Sequence, residues 1–251
     1  MFGRRRSKLE KLIFSPNEIP GQLDNAKSVK MDGVDEYIEV PDYAPHRTGP
    51  ISISFWFKDN ATFPSLFGFE SFIGKVDNDT WSGWNIYVVP GPNRVAFMSN
   101  GFLLGIVYIA FPNDNGWHHV VGTASGTQAI LYFDGVATAP VAVAGVGAQL
   151  VPLTIGCSRQ GIGTPGPPGY FVNTNMDEVS IWNAVLSPVD VLDLYNGKKP
   201  TNLFEHSKIA NLVSWWRMGD ADTFPTIKDV VNARDGTLTN GLAADIQNEV
   251  P

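Results

Sequence analysis

Residues 116–135 read GWHHVVGTASGTQAILYFDG, and the way this stretch folds decides how the rest of the chain is read. Two runs rich in β-branched and aromatic residues, Trp117 to Thr123 and Ala129 to Phe133, flank a polar Gly/Ser turn, and Asp134-Gly135 closes the second. That is the grammar of a β-hairpin. In a strand successive side chains point to opposite faces, so Trp117, His119, Val121 and Thr123 share one face while His118, Val120 and Gly122 share the other. The adjacent histidines then cannot meet one ligand. The expectation is one packed and one solvated imidazole rather than a metal-binding pair.

The same grammar extends on both sides of the hairpin. SVKMDGVDEYIEV (28–40) places two short runs across an Asp-Gly turn, and ISISFWFK (51–58) alternates Ile51, Ile53, Phe55 and Phe57 on one face with Trp56 on the other. SFIGKV, WNIYVVP, RVAFMSN, LLGIVYIA, VAVAGV, LTIGCS and MDEVSIW follow in the same style, more than ten short strands in all. Such a run predicts an all-β, two-sheet antiparallel sandwich or jelly roll. Charged residues at 17% and 25 Gly with 18 Pro suit short strands joined by turns rather than surface helices. One helix is predicted, in SPVDVLDLYNG: Ser187 supplies the N-cap oxygen, Pro188 fits the first helical position, Asp190 sits in the first turn and Gly197 ends it.

The formal net charge of −7 argues against a general nucleic-acid binder, which needs excess Lys and Arg on its binding face. The charge is uneven. Residues 1–14 hold five basic residues against one acidic, a net of +4, and the rest of the chain is at −11. In this basic arm Leu9, Leu12 and Ile13 form a narrow apolar stripe at helical spacing, too small to be buried by the arm alone. The arm reads either as a disordered tail or as a docking segment for a partner, through Arg4, Arg5, Arg6 and the stripe. Leu12-Ile13-Phe14 is too short for the apolar region of a signal peptide, and no segment has the length of a membrane span. Cys157 is the only cysteine, so an intrachain disulfide and a cysteine-based zinc site are both excluded.

The order MDGVDEYIEV, ISISFWFK, GWHHVVGTASGTQAILYFDG, LTIG and MDEVSIWNAVLSPVDVLDLYNG resembles the laminin G-like, concanavalin A-like jelly roll of pentraxin-related lectin domains. The resemblance covers residues 27–197. It implies a basic arm over 1–26, a jelly roll over 27–197 and a C-terminal strand extension over 198–251 that packs on it. Within that extension, LVSWWRMGDADTFPTIKDVVNARDGTLTNG (212–241) is similar to C-terminal segments of laminin G-like proteins encoded by marine bacteriophages. This resemblance implies a virion protein, a capsid decoration, fibre or tail component. It would be made in the host cytoplasm, held to other virion proteins or to its own copies by the arm, and would present the jelly roll to a host-surface glycan. A free lectin is the rival reading.

Chemistry in this fold requires paired carboxylates on one face, and the chain has no Glu-x-Asp-x-x-Glu run. Asp35, Glu36, Glu39 and Glu178 are the nearest candidates, and motifs for serine hydrolysis, phosphate binding and zinc proteolysis are missing, so no enzyme is expected. The family resemblance implies a structural calcium between the first strand's turn and the last long strand, at Asp32 and Asp177, where carboxylates would suit a hard ion. The alternative is that Asp32 caps its own turn and Asp177 receives backbone hydrogen bonds. For a sugar, the useful feature is an aromatic ring beside polar groups, which points to Trp81 and Trp84 with Asp77, Asp79 and Asn85. The Gly/Pro-rich segment 160–173, with Tyr170 and Phe171, is a second loop of contact-making length.

Overall fold

The structure is a computed structural model and describes residues 23–47, 49–59, 69–77, 82–89, 93–101, 105–112, 114–147, 149–159 and 166–251. The strands in chain order are β1 (Ser28–Asp32), β2 (Tyr37–Val40), β3 (Ile51–Lys58), β4 (Glu70–Asp77), β5 (Ser82–Val89), β6 (Arg94–Met98), β7 (Ile106–Ala110), β8 (Trp117–Ala124), β9 (Gln128–Phe133) and β10 (Val136–Ala137). They continue as β11 (Val141–Ala142), β12 (Leu153–Ile155), β13 (Ser158–Arg159), β14 (Pro168–Gly169), β15 (Asn173–Trp182), β16 (Leu212–Trp216), β17 (Thr226–Ile227), β18 (Gly236–Thr239) and β19 (Ile246–Gln247). The helix α1 spans Pro188–Tyr195.

Two large antiparallel sheets form a sandwich. The first runs β10-β9-β8-β3-β15-β1-β19, with β11 on β9 and β16 on β15; the second runs β17-β18-β2-β12-β4-β5-β6-β7. The alternation read from ISISFWFK holds: Ile51, Ile53, Phe55 and Phe57 are buried between the sheets against Ile86 and Phe97 of the second. The outer face of the first sheet is not solvated. Val121, Tyr132 and Trp182 on that face form a second core with Leu186, Val191 and Leu194 around α1 and with Leu203, Leu212 and Trp215 of the C-terminal segment. Helix α1 starts as predicted, with Ser187 and Asp190 forming a reciprocal capping box and Pro188 at its start. It ends one residue earlier, because Asn196 takes the left-handed conformation (φ 42°) ahead of Gly197.

The segment 198–251 does more than pack on the jelly roll. It supplies β16 to the first sheet, β17 and β18 to the second, and β19 to the free side of β1. Strand β15 can take both β1 and β16 on one side because a bulge divides it. Asp177 pairs with Trp56 and Ser180 with Ser54, so Glu178 and Val179 together face Phe55. Glu178 adopts φ 49° at this bulge. On the outer face of the second sheet Val76, Tyr87, Ala96 and Met98 form a third, smaller buried cluster.

Candidate functional site

The histidines that open the hairpin do separate to opposite faces, but both are 2% exposed. The expected solvated one is packed because α1 covers the outer face. There His119 bonds Ser54 Oγ through Nε2 at 2.8 Å and lies 4.9 Å from the Trp56 ring, and Tyr195 of α1 stacks over both. Burial depresses His119 to about 3, only partly offset by Asp134. His118 faces inward at the sheet end beside Phe57 and Phe133. Burial alone would lower it, yet its bonds to Asp134 and Asp114 hold it above the usual imidazole value.

The calcium pair predicted from the resemblance does not assemble. Asp32 Oδ1 accepts from the backbone N–H of Val34, Asp35 and Glu36 at 2.8–3.4 Å, capping its own turn. The β1–β15 register matches Asp32 with Asn173 and Val29 with Met176, which sets Asp177 four residues away along the pair, about 13 Å at ~3.3 Å per residue. No single ion with ligands about 2.4 Å away reaches both. Asp177 is fully buried and accepts from Asn25 Nδ2 at 2.9 Å and from the Glu178 N–H at 2.8 Å. Desolvation, then the neighbouring Glu178 charge, pushes its carboxyl well above the usual range.

Glu178 is raised to about 7 by burial, against the pull of Arg217 and Trp215, which bond its two oxygens. Glu36 is also raised to about 7, by burial and by Asp245 and Asp32. The two raised glutamates therefore have separate sets of neighbours and form no catalytic pair.

The aromatic site predicted around Trp81 and Trp84 is also rearranged. Asp79 and Trp81 lie outside the described residues, as do Arg4, Arg5, Arg6, Leu9, Leu12 and Ile13 of the arm, and Asp77 ends β4 opposite Ser82. Trp84 is fully buried in the inner core and donates its indole N–H to His46 O at 2.7 Å, so its ring offers no face to a ligand. Asn85, one residue on, points the other way, as strand alternation requires.

Asn85 opens onto a small pocket on the outer face of the second sheet. Its other walls are Phe69, Ser71, Tyr87, Met98, Ser158 and Tyr170. Register sets Asn85 beside Met98, and Tyr87 beside Ala96 and then Tyr108, in neighbouring rows across β5, β6 and β7. Gly74 makes room: a Cβ there would stand 2.7 Å from Asn85 Oδ1. Ser71 Oγ donates to that same Oδ1 at 2.7 Å, and the Ser71 N–H is tied to Tyr170 O at 2.8 Å, which draws the 166–172 segment over the pocket. Phe69 meets Tyr87 and Tyr170 edge-to-face at 5.6 and 6.3 Å. The buried Tyr87 hydroxyl, with Tyr108 as its neighbour, makes no close hydrogen bond among the described residues. The described lining holds no charged side chain. It is an apolar aromatic cup with a few unspent polar groups, the chemistry of a neutral-ligand site.

Two large antiparallel sheets packed face to face define a jelly-roll sandwich. The chain belongs to the laminin G family described as the concanavalin A-like lectin/glucanases superfamily, whose model matches residues 32–192. Its fold is similar to that of a Bacteroides ovatus protein proposed to bind carbohydrate, with TM-score 0.60 and 16% identity over 91% of this chain and 60% of that one. It is also similar to a heptameric SAP-like pentraxin from Limulus polyphemus, with TM-score 0.50 and 12% identity over 68% of this chain and 82% of that one. At such identities the likeness is one of fold, and the chain spans 60% of the length of the first structure. No curated protein sequence matches it. Among the described residues no helix is long and apolar enough to cross a membrane.

Proposed function

We propose that the protein is a non-enzymatic carbohydrate-binding jelly roll whose ligand occupies the pocket around Asn85 and Tyr87. The observation that supports this most is the placing of the Asn85 amide and the Tyr87 hydroxyl, which makes no close hydrogen bond, beside the aromatic walls of Phe69 and Tyr170. A sugar offers an apolar ring face to the aromatics and hydroxyls to the amide and phenol. The described lining holds no charged side chain, which favours a neutral glycan and gives the pocket no carboxyl of its own to hydrolyse one. Screening the full chain against neutral and acidic glycans by calorimetry should find a neutral ligand bound without turnover. Tyr87→Phe removes only the hydroxyl and should weaken binding about tenfold, the cost of about 1.4 kcal/mol for one lost hydrogen bond, with an unchanged Tm. Undiminished binding in Tyr87→Phe and Asn85→Ser together would move the site elsewhere.

The setting we propose for this module is the surface of a virus particle, as a capsid decoration, fibre or tail component. One feature of the chain supports it: the +4 arm ahead of a body at −11. Deleting residues 1–20 should leave glycan binding intact, because β1 begins at Ser28, and abolish co-sedimentation with particles. Full-length protein that never sediments with particles would favour a free lectin.

A further inference from the structure

At the end of the first sheet, β3 and β8 pair as far as Lys58 and Trp117, and one more bond, from Asp59 N–H to Gly116 O at 2.8 Å, carries the ladder past both strands. This draws Asp59 beneath the turn that precedes β8. Asp59 is completely buried. Its Oδ2 accepts from the Asp114 N–H at 2.7 Å, while Oδ1 makes no close hydrogen bond. A carboxylate oxygen with no close partner in the interior is costly, and burial pushes this carboxyl above its usual range despite the backbone bonds of Asp114 and Asn115.

Two further side chains converge on it. His118, 2% exposed, places Nε2 at 3.0 Å from Asp114 Oδ1. One carboxylate oxygen each from Asp59 and Asp114 and one ring nitrogen of His118 lie within 4.8 Å of one another. Ligands about 2 Å from a shared tetrahedral ion stand ~3.3 Å apart, so small side-chain rotations would close the set. Asp134 stands behind the imidazole: its Oδ2 is 2.8 Å from His118 Nδ1, and its Oδ1 accepts the His119 N–H at 2.9 Å. A carboxylate at Nδ1 fixes that nitrogen as a donor, so that release of the Nε2 proton, now shared with Asp114, leaves a lone pair for an incoming ion, the arrangement found behind most metal-bound histidines. Asp114 is half exposed and provides the way in from solvent.

The geometry points to a divalent-cation site formed by Asp59, Asp114 and His118, with Asp134 as the positioning residue. An imidazole among three ligands selects a borderline ion of the zinc class over calcium, whose sites are built from oxygen alone. The site stands at the sheet end next to the hairpin, and shares no residue with the glycan pocket, so the two proposals fail independently.

The test is equilibrium dialysis of the full chain, stripped with chelator, against Zn2+ and separately Ca2+, with melting curves alongside. One Zn2+ per chain and a raised Tm are expected, since an ion held only by the folded state stabilises it, with no shift from Ca2+. Asp114→Asn, at a half-exposed position, should keep the fold and weaken zinc binding at least tenfold; Asp59→Asn and His118→Gln should do the same. Zinc bound equally by wild type and Asp114→Asn, or not bound by wild type, would overturn the site. A calcium shift equal to that of zinc would overturn its assigned class.

Discussion

Lys75 has no exposed surface, yet its ammonium lies beside the core layer that holds Trp84, its cross-strand neighbour. Alternation within SFIGKV gives no warning of this, because a lysine at a strand end ordinarily reaches solvent. Here Nζ donates to Asp42 Oδ1 at 2.6 Å and to Val151 O, and Asp42 also takes Arg47 Nε at 3.1 Å. Burial lowers the lysine, and the bonds from Asp42 oppose that shift. A buried charge is tolerated only while its partner is present. Asp42→Ala should therefore destabilise the protein by about 3 kcal/mol, whereas Lys75→Met, which removes the charge and keeps the stem, should cost less than about 1.5 kcal/mol. Urea unfolding of both variants checks this; a costlier Lys75→Met would mean that the ion pair itself adds net stability.

At the scale of elements, period-two alternation carried most of the reading and also marked its limits. The Trp117–Phe133 hairpin, the inward face of ISISFWFK and the capped helix all follow from local pattern, since each depends on residues a few positions apart. The solvated histidine failed because its environment depends on α1 and Tyr195, placed there by a chain return of some seventy residues that no local period encodes. The aromatic site is legible in part: along the run WNIYVVP, strand alternation sends Trp84 inward and Asn85 and Tyr87 outward together, a signal that the sequence contains. Tyr170 stands in the Gly/Pro-rich segment of contact-making length, but Phe69 and Ser158 have no such signal, because they reach the pocket from two other segments. The calcium pair failed on register: two aspartates on neighbouring strands are close only if the pairing offset is right, and offset is a tertiary quantity.

For the whole molecule, the C-terminal segment is what ties the two sheets at one end, and a single histidine shows how. His46 is fully buried between Tyr43 and Trp216, with Nε2 at 2.8 Å from Ser214 Oγ of β16 and its carbonyl holding the Trp84 indole of the second sheet. It joins the first sheet, the second sheet and the extension in one contact set. Burial, with Lys75 adding to it, depresses His46 to about 3 from an ordinary 6.5. Because the unfolded chain then binds the extra proton between these values, the His46 contribution is complete above pH 6.5 and is lost as pH falls toward 3. From pH 7 to pH 5 this amounts to about 2 kcal/mol, at 1.36 kcal/mol per unit over the 1.5 units below 6.5. Glu36 and Glu178, both raised to about 7, act in the opposite sense: their stabilising protonation is present below 4.5 and lost as pH rises through 7. His119, likewise depressed to about 3, acts in the same sense as His46, so the wild-type profile sums opposed titrations and the clean measurement is a difference. His46→Gln lacks the titration while the glutamates remain, so the stability gap between wild type and His46→Gln, measured in urea, should narrow by about 2 kcal/mol between pH 7 and pH 5. A gap that stays constant across this range would show that His46 titrates alike in the folded and unfolded chain, and that the end of the sandwich it joins is open to water.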